Sequence, residues 1–206
     1  MKAYIKELLK KEADAINSIP VEDSFSLAID LIFNRVHTLN GKLVASGMGK
    51  AGQIAINIAT TFSSTGTPAV FLHPSDAQHG DLGVLKPNDI LLLISNSGKN
   101  REITELYHLA KNLHDNIAVI LITGNPDGSL AKLADVTIYT GQPEEICILG
   151  LTPTTSTTTM TVIGDVLVVL LEKKIGFTHE EYAKRHHGGY LGMKSRVAAG
   201  IETKKE

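Results

Sequence analysis

Tryptophan is absent from this chain of 206 residues, and phenylalanine and tyrosine contribute only five each. So few rings leave little surface for stacking on bases or sugars. Cysteine is reduced to one, Cys147, which excludes an internal disulfide and fits a reducing cytoplasm. No particular activator of that thiol can be named from the sequence, so it reads as a small buried hydrophobe. Neither sign of charge dominates, the net being -2, and no basic patch or tail is present to hold nucleic acid. The start, Met1-Lys2-Ala3-Tyr4-Ile5-Lys6-Glu7, mixes charge with apolar residues like an amphipathic helix and lacks the apolar core of a signal peptide. No run reads as long enough to span a bilayer, so a membrane is not an expected partner. Linkers, repeats and low-complexity blocks are missing too. The expectation is one domain over 1–206, with N-terminal helices over 1–40, a core over 41–200 and a short tail over 201–206.

What is present alternates between strand and helix signals. Helical spacing runs over about 2–18 and 21–39, then over 51–62, where Ile54, Ile58 and Phe62 recur on one face. Further helices are predicted over about 101–113, 157–175, 178–185 and 190–198. Between them stand the short apolar segments 43–46, 69–72, 90–94, 117–122 and 136–139. Runs such as Ile90-Leu91-Leu92-Leu93-Ile94, apolar at every position, mark strands covered on both faces, as in parallel sheets. The pattern predicts a doubly wound α/β fold: a three-layer α/β/α sandwich around a parallel five-stranded sheet.

Ligands of such sheets collect where strand ends meet helix N-termini. Three loops of this kind stand out. Ser46-Gly47-Met48-Gly49-Lys50-Ala51-Gly52 fits G-x-G-x-x-G, and its glycines allow close backbone approach. A dinucleotide also needs an acid about 20 positions on, ending the second strand; that strand ends at Leu72-His73-Pro74 instead. A Walker A loop fails as well, because Ala51 follows Lys50. The other two loops, Ser95-Asn96-Ser97-Gly98 and Thr154 to Thr159, place hydroxyls and amides just before helices. Each taken singly is an ordinary helix cap. Together, with free N–H groups and helix dipoles behind them, they favour a phosphorylated small molecule.

The residues Gly47-Met48-Gly49-Lys50, His73-Pro74, His79-Gly80-Asp81-Leu82-Gly83, Ser95-Asn96-Ser97-Gly98, Leu149-Gly150-Leu151-Thr152-Pro153-Thr154 and Gly188-Gly189-Tyr190-Leu191-Gly192 resemble the sugar isomerase (SIS) domain of arabinose 5-phosphate isomerases. The resemblance covers about 40–195. It implies a SIS fold of flavodoxin-like or Rossmann-like type and interconversion of D-ribulose 5-phosphate with D-arabinose 5-phosphate through an enediol, feeding Kdo synthesis for lipopolysaccharide or capsule. It also implies a cytoplasmic enzyme assembled as a homotetramer whose late histidine reaches a neighbour's site; no cofactor is expected, and no H-x-x-x-H or His/carboxylate spacing among His73, His79, His186 and His187 supports a metal. The family often appends paired CBS domains, for which this chain ends too soon. A Kdo-pathway product binding at the active site is then a hypothesis for regulation.

Aldose–ketose isomerisation needs a base for the carbon proton, a cation beside the oxygens and groups that move oxygen-bound protons. The resemblance assigns Glu102 as base, with complementing the helix dipole as its bland alternative. Lys50 is the expected cation. His79 and His186 match the family's catalytic histidines, and Asp81 is available to orient His79. Which one opens the ring stays open, as does His186 against His187, because Arg185-His186-His187-Gly188-Gly189 replaces the usual Ser-His-Pro-Gly-Gly. Substrate and phosphate contacts are expected from Ser46, Gly47, Gly49, Ser95, Asn96, Ser97, Ser156, Thr157 and Thr158, the phosphate falling to Ser95, Ser97 and 156–158. The competing readings are an isomerase of a hexulose or heptulose phosphate and a non-catalytic phosphosugar sensor.

Overall fold

The computed structural model describes residues 1–202, so residues 203–206 of the expected tail lie outside the described residues. Its sheet has the strands β1 (Leu43–Gly47), β2 (Ala69–Phe71), β3 (Ile90–Ile94), β4 (Ala118–Thr123) and β5 (Val136–Tyr139). All are parallel, in the order β2-β1-β3-β4-β5. β1 and β3 lie in step from Leu43 beside Ile90 to Gly47 beside Ile94. Their amino ends are tied by Asp89, almost fully buried, whose carboxylate accepts from the N–H groups of Lys42 and Lys86 and from the Lys42 ammonium.

The unbroken apolar runs are explained by alternation across the sheet. Ile90, Leu92, Ile94, Ile120 and Ile122 join one core, which they share with α2 (Ser24–Ile32), α3 (Lys50–Ser64) and α6 (Thr155–Ile175). Leu91, Leu93, Val119 and Leu121 join a second core with α5 (Arg101–Leu113) on the opposite face. Each such side chain contributes about 1.5–3 kcal/mol on full burial. α1 (Lys2–Asn17) lies outside α6, and α4 (Pro74–Ala77) lies beside α5. α7 (His179–Arg185) and α8 (Gly189–Ala198) pack on each other.

Two local features depart from expectation. The helix expected over 21–39 is α-helical only to Ile32 and widens to π-helical turns over Phe33–Thr38. There Arg35 donates to the Asn116 carbonyl at 2.8 Å and His37 meets the Thr67 hydroxyl at 3.0 Å, docking the widened turn across the amino edge of the sheet. The expectation that no run reaches bilayer length also needs correction. α6 has 21 residues and is long and apolar enough by count, although half of its most apolar window is buried within the fold. Its apolarity serves the core on one side.

Candidate functional site

The strand order places a topological switch point between β1 and β3, where successive connections leave in opposite directions and open a crevice at the strands' carboxyl ends. A cavity of about 720 Å³ occupies it. Met48, Lys50 and Ala51 come from the β1–α3 turn, and Ser95, Asn96, Ser97, Lys99 and Asn100 from the β3–α5 loop. Asn125 and Gln142 follow β4 and β5, while Pro153 just before α6 and Ser156, Thr157 and Met160 on it close the rim.

Each loop has a local reason for its shape. At the end of β1, a Cβ on Gly47 would lie 2.7 Å from the Ala51 carbonyl oxygen, so only glycine lets the strand pass so close to α3. Gly49 then turns the chain at φ 59°, and Lys50 begins the helix with its side chain exposed. After β3, the buried Ser95 hydroxyl donates to Asn100 Oδ1 at 2.5 Å. The Lys99 N–H donates to Ser97 Oγ at 3.2 Å, and Asn125 Nδ2 donates to the Ser97 carbonyl at 3.0 Å. This loop is therefore preorganised, with hydroxyls and a lysine at the start of α5.

The expected site residues divide. Lys50, Ser95, Asn96, Ser97, Ser156 and Thr157 share the cavity. Thr158 borders an adjoining hollow with Lys50 and Thr157. Ser46 requires correction as a ligand: it is fully buried and its hydroxyl donates to the Leu72 carbonyl at 2.6 Å, joining β1 to the chain leaving β2. Gly47 and Gly49 are absent from the lining and act through the backbone path just described. Glu102 is half-buried in the first turn of α5, behind the rim. His79 is exposed after α4, and the imidazole–carboxylate pair in that stretch is His73 with Asp76, 3.9 Å apart, instead of His79 with Asp81. His186 lies between α7 and α8, stacked on Tyr182 with centroids 3.7 Å apart and Nδ1 3.0 Å from the Tyr182 carbonyl. His187 is exposed.

Sequence reasoning passed over Asn100, Asn125, Gln142 and Glu145. Asn125 and Gln142 carried one usable signal, since each follows a strand end on the ligand-bearing edge. Gln142 also adopts φ 50°, a strained choice for a residue with a side chain, at the cavity rim. Glu145 reaches the first turn of α6, which therefore starts at Thr155 instead of the expected 157.

Cys147 also departs from its expected role. It is half-buried, and its sulfur accepts from the N–H groups of Leu151 at 3.2 Å and Thr152 at 3.1 Å. Those donors, the Thr152 backbone first, lower the thiol to about 7. The missing activator is thus the backbone. Alkylation by iodoacetamide should follow a titration near pH 7, against about 8.5 for a free thiol. A rate still rising steeply at pH 8.5 would contradict it.

Comparison with known proteins adds the deciding observation: the family model described as SIS domain matches residues 40–170. The chain belongs to the SIS-domain family. Among curated SIS relatives, arabinose 5-phosphate isomerase KdsD of Yersinia pestis is 46% identical over 92% of this chain and 56% of its own length. The corresponding Pseudomonas aeruginosa protein is 42% identical over 89% of this chain and 55% of its own length. The chain thus spans little more than half the length of these curated relatives. Among solved SIS structures, a candidate phosphosugar isomerase involved in capsule formation from Bacteroides fragilis is 64% identical, with a TM-score of 0.91, covering 92% of this chain and 99% of that one. The Escherichia coli CFT073 protein c3406, solved in complex with arabinose 5-phosphate, is 33% identical with a TM-score of 0.82, covering 89% and 96%.

Proposed function

We propose that the chain is an aldose–ketose isomerase interconverting D-arabinose 5-phosphate and D-ribulose 5-phosphate. The observation that carries this reading is the cavity at the switch point, where Lys50 shares a rim with the Ser95–Asn100 loop and with Ser156 and Thr157. A ligand with one anionic end and several hydroxyls suits those groups, and the curated relatives and the sugar-phosphate complex of c3406 support the same sugar.

On this reading the open-chain aldose binds with its phosphate at the β3–α5 loop and C1–C2 towards Lys50. Glu102 rotates forward and takes the C2 proton. The electrons form the C1–C2 double bond of an enediolate, whose charge falls on O1 beside the Lys50 ammonium. A proton passes from O2 to O1, and return of the carbon proton to C1 leaves the ketone at C2. His79 and His186 serve ring opening and oxygen proton transfer. His186 is held by its own chain away from its own cavity, which supports delivery into a neighbour's site. Exposed apolar side chains such as Leu9 on α1 and Val169 on α6 support a shared interface, and a homotetramer is the assembly we propose. The setting is cytoplasmic, the product feeds Kdo synthesis, and a Kdo-pathway metabolite acting as inhibitor would bind the same cavity.

The test is an assay of ribulose 5-phosphate against a panel of aldose phosphates, run beside sedimentation of the same sample. Turnover restricted to arabinose 5-phosphate by a tetramer is expected. Preference for a hexulose or heptulose phosphate, saturable binding without turnover, or full activity in a monomer would each overturn the corresponding part.

A further inference from the structure

The chain leaving β5 turns at a place where its residue types resist turning. The Thr140 N–H still donates to the Thr123 carbonyl at 2.9 Å, so pairing with β4 runs on to the carboxyl edge of the sheet. Gly141 follows at φ 83°, and a Cβ there would lie 2.8 Å from the carbonyl oxygen of Ser18, the residue after α1. Gln142 comes next at φ 50°. Among the described residues only Asn40 shares a positive φ without being glycine, and asparagine is a type that tolerates it. Pro143 tightens the constraint, since the residue before a proline is kept out of the right-handed helical region. The turn sets Gln142 on the rim of the main cavity, across the strand order from Lys50. Other carboxamides on that rim are engaged. Asn100 Oδ1 accepts from the Ser95 hydroxyl, and Asn125 donates to the Ser97 carbonyl while accepting from the Asp127 N–H at 3.1 Å. Asn96 Oδ1 rests on Gly124, where a Cβ would come within 2.3 Å. The Gln142 amide is exposed and makes no such bond among the described residues.

We propose that Gln142 is a specificity-determining residue that reads the hydroxyls at C3 and C4 of the sugar. The proposal rests on the isomerase reading, in which C1 and C2 face Lys50 and the phosphate meets the β3–α5 loop. Both ends of the substrate then lie on the side of β1 and β3, and the carbons between them bow towards the rim supplied by β5. A carboxamide offers a donor and an acceptor side by side, the complement of two neighbouring hydroxyls. D-Xylulose 5-phosphate differs from D-ribulose 5-phosphate only by inversion at C3, which turns one of those hydroxyls away from the amide. Strain held at a ligand rim has a use when the side chain it aims meets the ligand.

The experiment compares wild type with Gln142→Gly, which removes the amide and relieves the backbone, using D-ribulose 5-phosphate as substrate and D-xylulose 5-phosphate as competitor. KM for the substrate should rise about tenfold, the size of two lost neutral hydrogen bonds. Because C3 and C4 do not react, kcat should change little. The inhibition constant of the epimer should rise only about threefold, one bond being lost, so the preference between the two falls about threefold. Gln142→Asn keeps a carboxamide on a shorter stem and should retain part of that preference. If the glycine variant folds poorly, Gln142→Ala carries the same expectation. Equal shifts in both constants, or a shift in neither, would leave Gln142 a turn former and overturn the proposal. Absence of wild-type turnover would defeat the isomerase reading instead. Calorimetry with the two ketose phosphates then still tests Gln142, and equal binding of both by wild type would overturn its role.

Discussion

Glu102→Gln is expected to lower kcat for arabinose 5-phosphate by about 10³-fold, within the range for loss of a general base. Glutamine keeps the shape and the position in the first turn of α5 but cannot accept the C2 proton. The bland alternative makes a separate forecast. A carboxylate that only complements the helix dipole is worth about 0.3–1 kcal/mol of stability, and its loss would leave turnover nearly intact. Kinetics and a denaturation curve on one preparation separate the two. Solvent deuterium exchange at C2 adds a second readout, since it should vanish along with turnover if Glu102 carries that proton. Glu102 stands behind the rim in the free site, so on the proposed binding of substrate by the Ser95–Asn100 loop KM should change little.

Much of this architecture is legible in the sequence for a physical reason. Parallel strands covered on both faces must be apolar at every position, so 90–94 and 117–122 announce themselves without partners. Helix faces are equally local, as Ile54, Ile58 and Phe62 illustrate. Side-chain destinations are less legible, because they depend on distant chain. Ser46 stands in the recognisable glycine turn, yet strand alternation turns its hydroxyl towards Leu72, 26 residues away. Glu145 lies ten residues before the turn it caps, with no local pattern to mark the contact. The widening at Phe33–Thr38 accompanies the Arg35 bond to Asn116, a pairing no periodicity reveals. The two hydroxyl-rich loops border one cavity, a convergence that composition alone does not show.

The second large effect is expected at Lys50. Lys50→Met should lower kcat by about 10²-fold or more, since removing one preorganised stabiliser of a developing oxyanion typically has that cost. Two roles are open to a lysine on this rim. A cation that holds only the phosphate interacts equally with substrate and enediolate, so its loss would raise KM and leave kcat. A cation at O1 gains most when charge moves onto that oxygen, so its loss must appear in kcat. Geometry favours the second role: Lys50 begins α3 at the end of β1 and borders both the main cavity and the adjoining hollow beside Thr157, whereas the hydroxyl loop already has Lys99. Lys50→Arg should recover only part of the rate, because the guanidinium spreads its charge over a planar fork where a compact ammonium is needed. Reciprocally, Lys99→Met should raise KM and spare kcat. If Lys50→Met moved KM alone, the two lysines would exchange roles, and the reacting carbons would have to face the β3–α5 loop.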